Sequence, residues 1–246
     1  MPRYKLTVEY DGTPFHGWQR QANGLSVQEC LERAIKRFCG DKVTLHAAGR
    51  TDAGVHALGQ IVHVDLSRDH PAHRVQNAIN FHLQPAPIVV LGVDEVDKRF
   101  PARFSATARH YRYRILNRTA RPTIARDRIW HVPVALDAAA MHEAAQVLVG
   151  RHDFTTFRAA QCQSTSPVKT LDFLRVDRRG EEIEVNVSAR SFLHHQVRAM
   201  TGTLKLVGEG KWRIADVAGA LAARDRSHAG ATAPARGLYF VRVDYD

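Results

Sequence analysis

Tyr4, Leu6, Val8 and Tyr10 occupy every second position near the start of this chain. That alternation makes a half-buried strand, with Lys5, Thr7 and Glu9 on its other face. Asp11-Gly12 ends it. Ser26 with Glu29 three residues on forms a capping box, because each side chain can satisfy a free amide of a first helical turn. Val27, Leu31, Ala34, Ile35 and Phe38 then recur at helical spacing, and Gly40 stands where a left-handed C-cap residue belongs. Val43 to Ala47 and Gln60 to Leu66 are expected as strands. His73 to Leu83 follows as a helix, with Val75, Ile79 and Leu83 four apart, and Ile88 to Val93 as an apolar strand. The order β-α-β-β-α-β is the split βαβ of a ferredoxin-like unit.

The same order returns with longer connections. Arg109 to Leu116 alternates as a strand, Asp137 can cap a helix running to Val149, and Leu171 to Asp177 with Glu181 to Ala189 make a hairpin around "RRG". Helices over His194 to Leu206 and Ile214 to Arg224 precede a last strand at Leu238 to Val243. The pattern predicts an α+β protein of two βαββαβ halves, residues 1–105 and 106–246, joined through a mainly antiparallel sheet. No residues repeat by identity. The polar stretch Phe157 to Lys169 lacks an apolar period and is expected as an ordered functional loop or an insertion.

Lys and Arg total 35 against 25 Asp and Glu, a net charge of +10 before any of the 14 histidines counts. That excess suggests an anionic partner, nucleic acid first, although a basic surface kept for solubility would look the same. Cys30, Cys39 and Cys162 are far apart without a C-x-x-C, against a disulfide framework or a cysteine zinc site. No apolar run approaches the ~20 residues of a membrane span. The N-terminus enters a strand without a signal-peptide core, so a cytoplasmic location is expected.

The stretch "AGRTDAGVHALGQ" sets Asp52 between Gly49 and Gly54, two residues from Arg50. An Asp in such a turn is usually a turn residue bonding its own backbone. The other possibility is an ionised carboxylate held by Arg50 on a rigid loop, suited to a nucleophile or general base rather than a general acid. No second carboxylate accompanies it, so a two-carboxylate glycosidase has no local support. In "HYRYRI", Tyr111 and Tyr113 share one strand face and His110, Arg112 and Arg114 the other. That pattern serves either a core-facing Tyr pair beside a solvated face or an aromatic platform for a base, with arginines for phosphates. The adjacent His194 and His195 do not have the i, i+4 spacing of a zinc pair. Capping or polar roles fit them, with a phosphate contact as the alternative. Trp18 is expected as a packing anchor, and Arg20 as a phosphate ligand or a merely solvated cation. G-x-x-x-x-G-K-[ST], G-x-G-x-x-G and a serine nucleophile elbow are all missing, so no nucleotide cofactor or metal is expected.

"VEYDGTPFHGWQRQ", "AGRTDAGVHALGQ", "RFSATARHYRYRI", "DFTTFRAAQCQS", "SFLHHQVRAMTGTL" and "ARGLYFVRVDY" together resemble, in order, the sequence blocks of the tRNA pseudouridine synthase A family. The resemblance spans essentially the whole chain. It implies that Asp52 is the aspartate that attacks the target nucleotide while uracil is detached, turned and rejoined through C5. It implies that Tyr111 stacks on that base and takes part in proton transfer, and that Arg50 and Arg198 pair with the aspartate and help expel the base. Leu238 would line the uracil pocket. Arg20 and His194, read from the residues alone, are the further candidates for substrate contact through phosphate. The resemblance further implies a cofactor-free homodimer with an active-site cleft between its halves. Its substrates would be uridines where the anticodon loop of tRNA meets its stem, at positions 38, 39 and 40. The chain departs from common family wording at Gln196 and Ala199, which flank Arg198. A non-catalytic RNA-binding module of similar architecture, or an RNA glycosidase releasing free base, would be the competing functions.

Overall fold

A computed structural model describes all of residues 1–246. The chain is mixed α+β, with five α-helices and mostly antiparallel strand pairing, and divides into two compact units. The first comprises Met1–Thr107 with Tyr239–Asp246, the second Ala108–Leu238.

In the first unit, β1 (Arg3–Tyr10) lies between β3 (His56–Asp65) and β4 (Ile88–Val96), antiparallel to both. The short β2 (His46–Ala47) adds to β3. Helices α1 (Val27–Cys39) and α2 (Ala72–Leu83) cover one face. Tyr4, Leu6, Val8 and Tyr10 are buried with Leu31 and Ile35 of α1 and with Val75 and Ile79 of α2. Ser26 caps α1 by accepting from the Glu29 amide at 3.2 Å, and Gly40 closes it with φ 84°. The reciprocal half of the capping box is not formed. Glu29 instead reaches Arg33 one turn on, at 2.7 Å.

Strand β2 is shorter than the alternation suggested, because the Leu45 amide donates to the Glu32 carboxylate at 3.2 Å instead of to a neighbouring strand. Strand β3 is longer, starting four residues after Asp52. The last strand, β10 (Leu238–Tyr245), was expected to finish the second half. From Tyr239 on it belongs to the first unit, pairing parallel to β3 through Tyr239 with His56 and Phe240 with Ala57.

In the second unit, β5 (Ala106–Leu116), β9 (Glu182–Ala189), β8 (Val168–Arg179) and β7 (Gly150–Asp153) pair antiparallel in that order. The two-residue β6 (Trp130–His131) runs parallel to β5. Helix α3 (Ala138–Gln146) is capped by Asp137, and α4 (Gln196–Gly208) and α5 (Ile214–Ala223) follow. Helix α4 begins two residues later than its apolar period suggested. His195 sits in the left-handed region at φ 64° at the N-cap position, so His194 lies in the preceding turn. The segment 157–169 is ordered by its own contacts, with the Arg158 guanidinium donating to the carbonyls of Cys162 and Ser164 at 2.8 and 3.0 Å.

One buried histidine ties this fold to pH. Burial, reinforced by Arg3 and His46, pulls the His63 imidazole down to about 4. Neutral His63 accepts the Ala102 amide at Nδ1, 3.1 Å away. An unfolded His titrates near 6.5, so between pH 6.5 and 4 the unfolded chain binds a proton that the folded chain refuses. Stability from this site is full above pH 6.5 and falls as pH drops, by up to ~1.4 kcal/mol per pH unit. His63→Gln should lower stability at neutral pH and flatten that acid slope in denaturant melts. Parallel slopes for the two proteins would remove His63 as the cause.

Candidate active site

Asp52 lies in the loop between β2 and β3, and its backbone is held from below on every side. Ala48 donates to the Ile61 carbonyl at 2.8 Å, and the Gln60 amide nitrogen donates to the Gly49 carbonyl at 2.8 Å. Trp18 N–H reaches the Thr51 carbonyl at 3.0 Å, and Val55 N–H closes a turn on the Asp52 carbonyl at 3.1 Å. Thr51 and Tyr10 share a buried hydroxyl–hydroxyl bond of 2.7 Å. Burial pushes the Tyr10 phenol up to about 12, so it stays protonated for that bond.

The Asp11–Arg20 segment forms the floor of this loop, and its glycines explain the close approach. A Cβ on Gly12 would lie 2.0 Å from the Val55 carbonyl oxygen. On Gly17, at φ 88°, it would lie 2.7 Å from the Thr51 carbonyl oxygen. Phe15 and Trp18 are buried beneath, so Trp18 is the packing anchor that its position suggested. Thr51 is buried while Asp52 is only half-buried, which presents a carboxylate from a fixed turn.

Arg50 occupies the same loop but is exposed, and no ion pair joins it to Asp52. The expectation that Arg50 holds the carboxylate ionised therefore lacks its contact here. Arg20, with a side chain 61% exposed, stands 3.5 and 3.7 Å from Glu32 and Glu29 of α1. A phosphate would compete with those carboxylates for it.

In the second unit, Tyr111 and Tyr113 on β5 separate. Tyr113 is wholly buried and donates to the Pro234 carbonyl at 2.7 Å, with its pKa raised by burial against the pull of Arg198 and Arg236. Tyr111 is half-buried, edge-on to Phe192 at 5.1 Å and 85°. On the opposite face of β5, Arg112 faces Glu184 at 3.5 Å and Arg114 pairs with Glu182 at 2.9 Å across β9. These cations are largely neutralised within the sheet, which weakens the idea of a row of arginines waiting for phosphates.

Arg198 on α4 donates from Nε to the Ala233 carbonyl at 2.8 Å, and Ala233 N–H returns to the Arg198 carbonyl at 3.1 Å. Leu238 is buried, directly after the single turn Ala235–Gly237. One strap, Ala233 to Leu238, thus carries contacts to Arg198 and to Tyr113 and ends at the buried Leu238. The His194 amide donates to the Cys162 sulfur at 3.3 Å, and its carbonyl accepts from Ala159 at 3.0 Å, which ties the 157–169 segment to the turn before α4. The rings of His194 and His195 lie 4.0 Å apart.

Tyr10, Thr51 and Gln60 were not singled out from the sequence. Gln60 carried the one usable signal, a polar residue in step with the buried Val62 and Val64 of its strand.

A family model described as tRNA pseudouridine synthase matches residues 6–105 and 144–246. The tRNA pseudouridine synthase A of Paramagnetospirillum magneticum is 61% identical over 245 residues, covering all of this chain and 96% of that protein. Those of Xanthobacter autotrophicus and Rhodospirillum centenum are 59% and 61% identical over 245 residues, covering the full length of both chains in each case. With matches of that extent and identity, this chain belongs to the tRNA pseudouridine synthase family.

Proposed function

We propose that this chain converts uridine to pseudouridine in tRNA, with Asp52 as the nucleophile. The observation that carries this is Asp52 itself, a half-buried carboxylate on a turn whose backbone is bonded at Gly49, Thr51 and Asp52. Fixing the loop beforehand removes the entropy cost of aligning an attacking group. Uridine and pseudouridine are isomers, so the reaction balances without an oxidant or donor. The C1′–N1 bond breaks, a C1′–C5 bond forms, C5 gives up its hydrogen and N1 gains one. Asp52 attacks the nucleotide and is regenerated when the rotated base rejoins.

Tyr111, half-buried and braced by Phe192, supplies a ring for the uracil to stack on and a hydroxyl for proton transfer. Leu238 supplies an apolar wall, and Arg198 a guanidinium steadied by the Ala233 carbonyl. Arg50 is exposed and suits the phosphates or the base being drawn from its stack, a step costing a few kcal/mol that cationic contacts offset. Arg20 and His194 serve as outer contacts to the RNA. The strand order β4-β1-β3-β2 with two helices supports a ferredoxin-like first half. No helix is long and apolar enough to cross a membrane. The family resemblance supports a cytoplasmic homodimer, for which sedimentation should return twice 27.6 kDa.

The test is tRNA carrying tritium at C5 of its uridines. Tritium should pass into water while the base stays in the RNA, with the modified positions mapping to the junction of the anticodon loop and stem. Free uracil would establish the glycosidase instead. Salt-sensitive binding with no change in the RNA would establish the binding module, which the full-length matches do not favour.

A further inference from the structure

Phe104 is the one large apolar side chain left in the open along the Asp97–Thr107 connection, with 74% of its surface exposed. A single surface phenylalanine is ordinary when it sits on a loose loop. This one does not. The Ala102 amide donates to buried His63 at 3.1 Å, and the Tyr245 hydroxyl donates to the Ala102 carbonyl at 2.8 Å. Arg3 donates to the Phe100 carbonyl at 2.9 Å, and the Phe100 ring lies 5.1 Å from that of Tyr245. Phe104 and Ser105 both donate to the Pro101 carbonyl at 3.1 Å, closing a tight turn. Backbone bonded on both sides of Ala102 thus displays the next two residues, Arg103 and Phe104, outward in a fixed pose.

The chemistry displayed there is cationic and aromatic. The Arg103 guanidinium carbon stands 5.7 Å from the centre of the Phe104 ring, over one face. Lys98 and Arg99 lie a few residues earlier, and no other large exposed apolar side chain lies in the segment. An apolar protein partner would find one ring among cations rather than a patch. A nucleotide would find an aromatic face to stack on, with the Arg103 guanidinium beside it for a phosphate.

We propose that Phe104 and Arg103 form a second contact for the tRNA substrate, in which an unpaired base other than the reacting uridine stacks on the Phe104 ring. This rests on tRNA being the substrate, as proposed above. Phe104 acts in binding and takes no part in bond making.

The experiment compares wild type, Phe104→Ala, Phe104→Leu and Phe104→Trp as full chains, measuring tRNA affinity at fixed salt and tritium release from C5-labelled tRNA. Phe104→Ala and Phe104→Leu should each weaken tRNA binding and raise KM by about 5- to 100-fold, with kcat within about twofold of wild type. Phe104→Trp should bind at least as well as wild type, and its fluorescence should be quenched by RNA. All four should melt alike, since the ring is 74% exposed and buries little on folding. Unchanged KM in Phe104→Ala would overturn the proposal, as would full rescue by leucine, which supplies apolar bulk without a stacking face. A fall in kcat at saturating tRNA would overturn it too. A wild-type chain that releases no tritium would instead refute the isomerase assignment on which it rests.

Discussion

Asp52→Asn should abolish tritium release from C5-labelled tRNA, by ~10⁴-fold or more, while tRNA still binds and the melting temperature stays near that of wild type. The size of the effect follows from the role. An amide of the same shape cannot supply the electron pair that carries the nucleotide while its base is detached, and losing a covalent nucleophile removes a whole reaction path. The fold should survive because the loop is held by its backbone, through the carbonyls of Gly49, Thr51 and Asp52, and through the Thr51 hydroxyl. Arg50→Ala gives the contrast. Without an ion pair to Asp52, its loss should appear mainly in KM and in the salt dependence of binding, whereas loss of a cation that ionises Asp52 would shift the pH profile of kcat. Turnover by Asp52→Asn at the wild-type rate would leave the mechanism without its nucleophile.

What could be read from residues alone follows the range of the forces concerned. Helix α1 was legible at both ends, because Ser26 and Gly40 act on amides and carbonyls within one turn of themselves. Strand β2 was not, since whether Leu45 pairs with a strand or with Glu32 depends on where α1 packs. The alternation of β5 put Tyr111 and Tyr113 on one face, correctly. The chain from Pro234 to Gly237 helps cover Tyr113 while Tyr111 stays half-buried, and that segment lies more than a hundred residues away. Helix α4 starts two residues later than its apolar period suggested because His195 is left-handed, a conformation that spacing does not encode for a non-glycine residue. The pairing of β10 with β3 joins opposite ends of the chain and leaves no local trace. At the site, the turn alone left Asp52 open between a turn residue and a nucleophile, and the ordered sequence blocks around it, rather than its glycines, favoured the nucleophile. Its relation to Arg50 depended on side-chain direction in a turn, which spacing does not encode. The two hydroxyls that meet beneath it, from Tyr10 and Thr51, are forty-one positions apart.

The strap that carries Ala233 and Leu238 is packed so closely on α4 that one methyl group should dislodge it. Gly202 lies inside α4, and a Cβ there would stand 1.8 Å from the Ala231 carbonyl oxygen, well inside van der Waals contact. Because the obstacle is backbone rather than a flexible side chain, relief requires the strap to move. Movement would strain the Gly230 bond to the Thr203 hydroxyl, now 2.9 Å, and both bonds between Arg198 and Ala233. Gly202→Ala should therefore cost about 3 kcal/mol, combining overpacking with lost buried hydrogen bonds. For a chain of this length that is a fall of roughly 6–12 °C in melting temperature. Activity should fall further than stability alone explains, through Arg198 and Leu238. Gly219, in α5, supplies the control. It is exposed with nothing within 4 Å of a Cβ, so the same glycine-to-alanine change should stabilise by ~0.5–1 kcal/mol through reduced backbone entropy of the unfolded chain. Thermal melts of the two variants should thus move in opposite directions from wild type. A Gly202→Ala protein that melts and turns over like wild type would mean that the strap yields without cost, and that Arg198 and Leu238 do not depend on it for their positions.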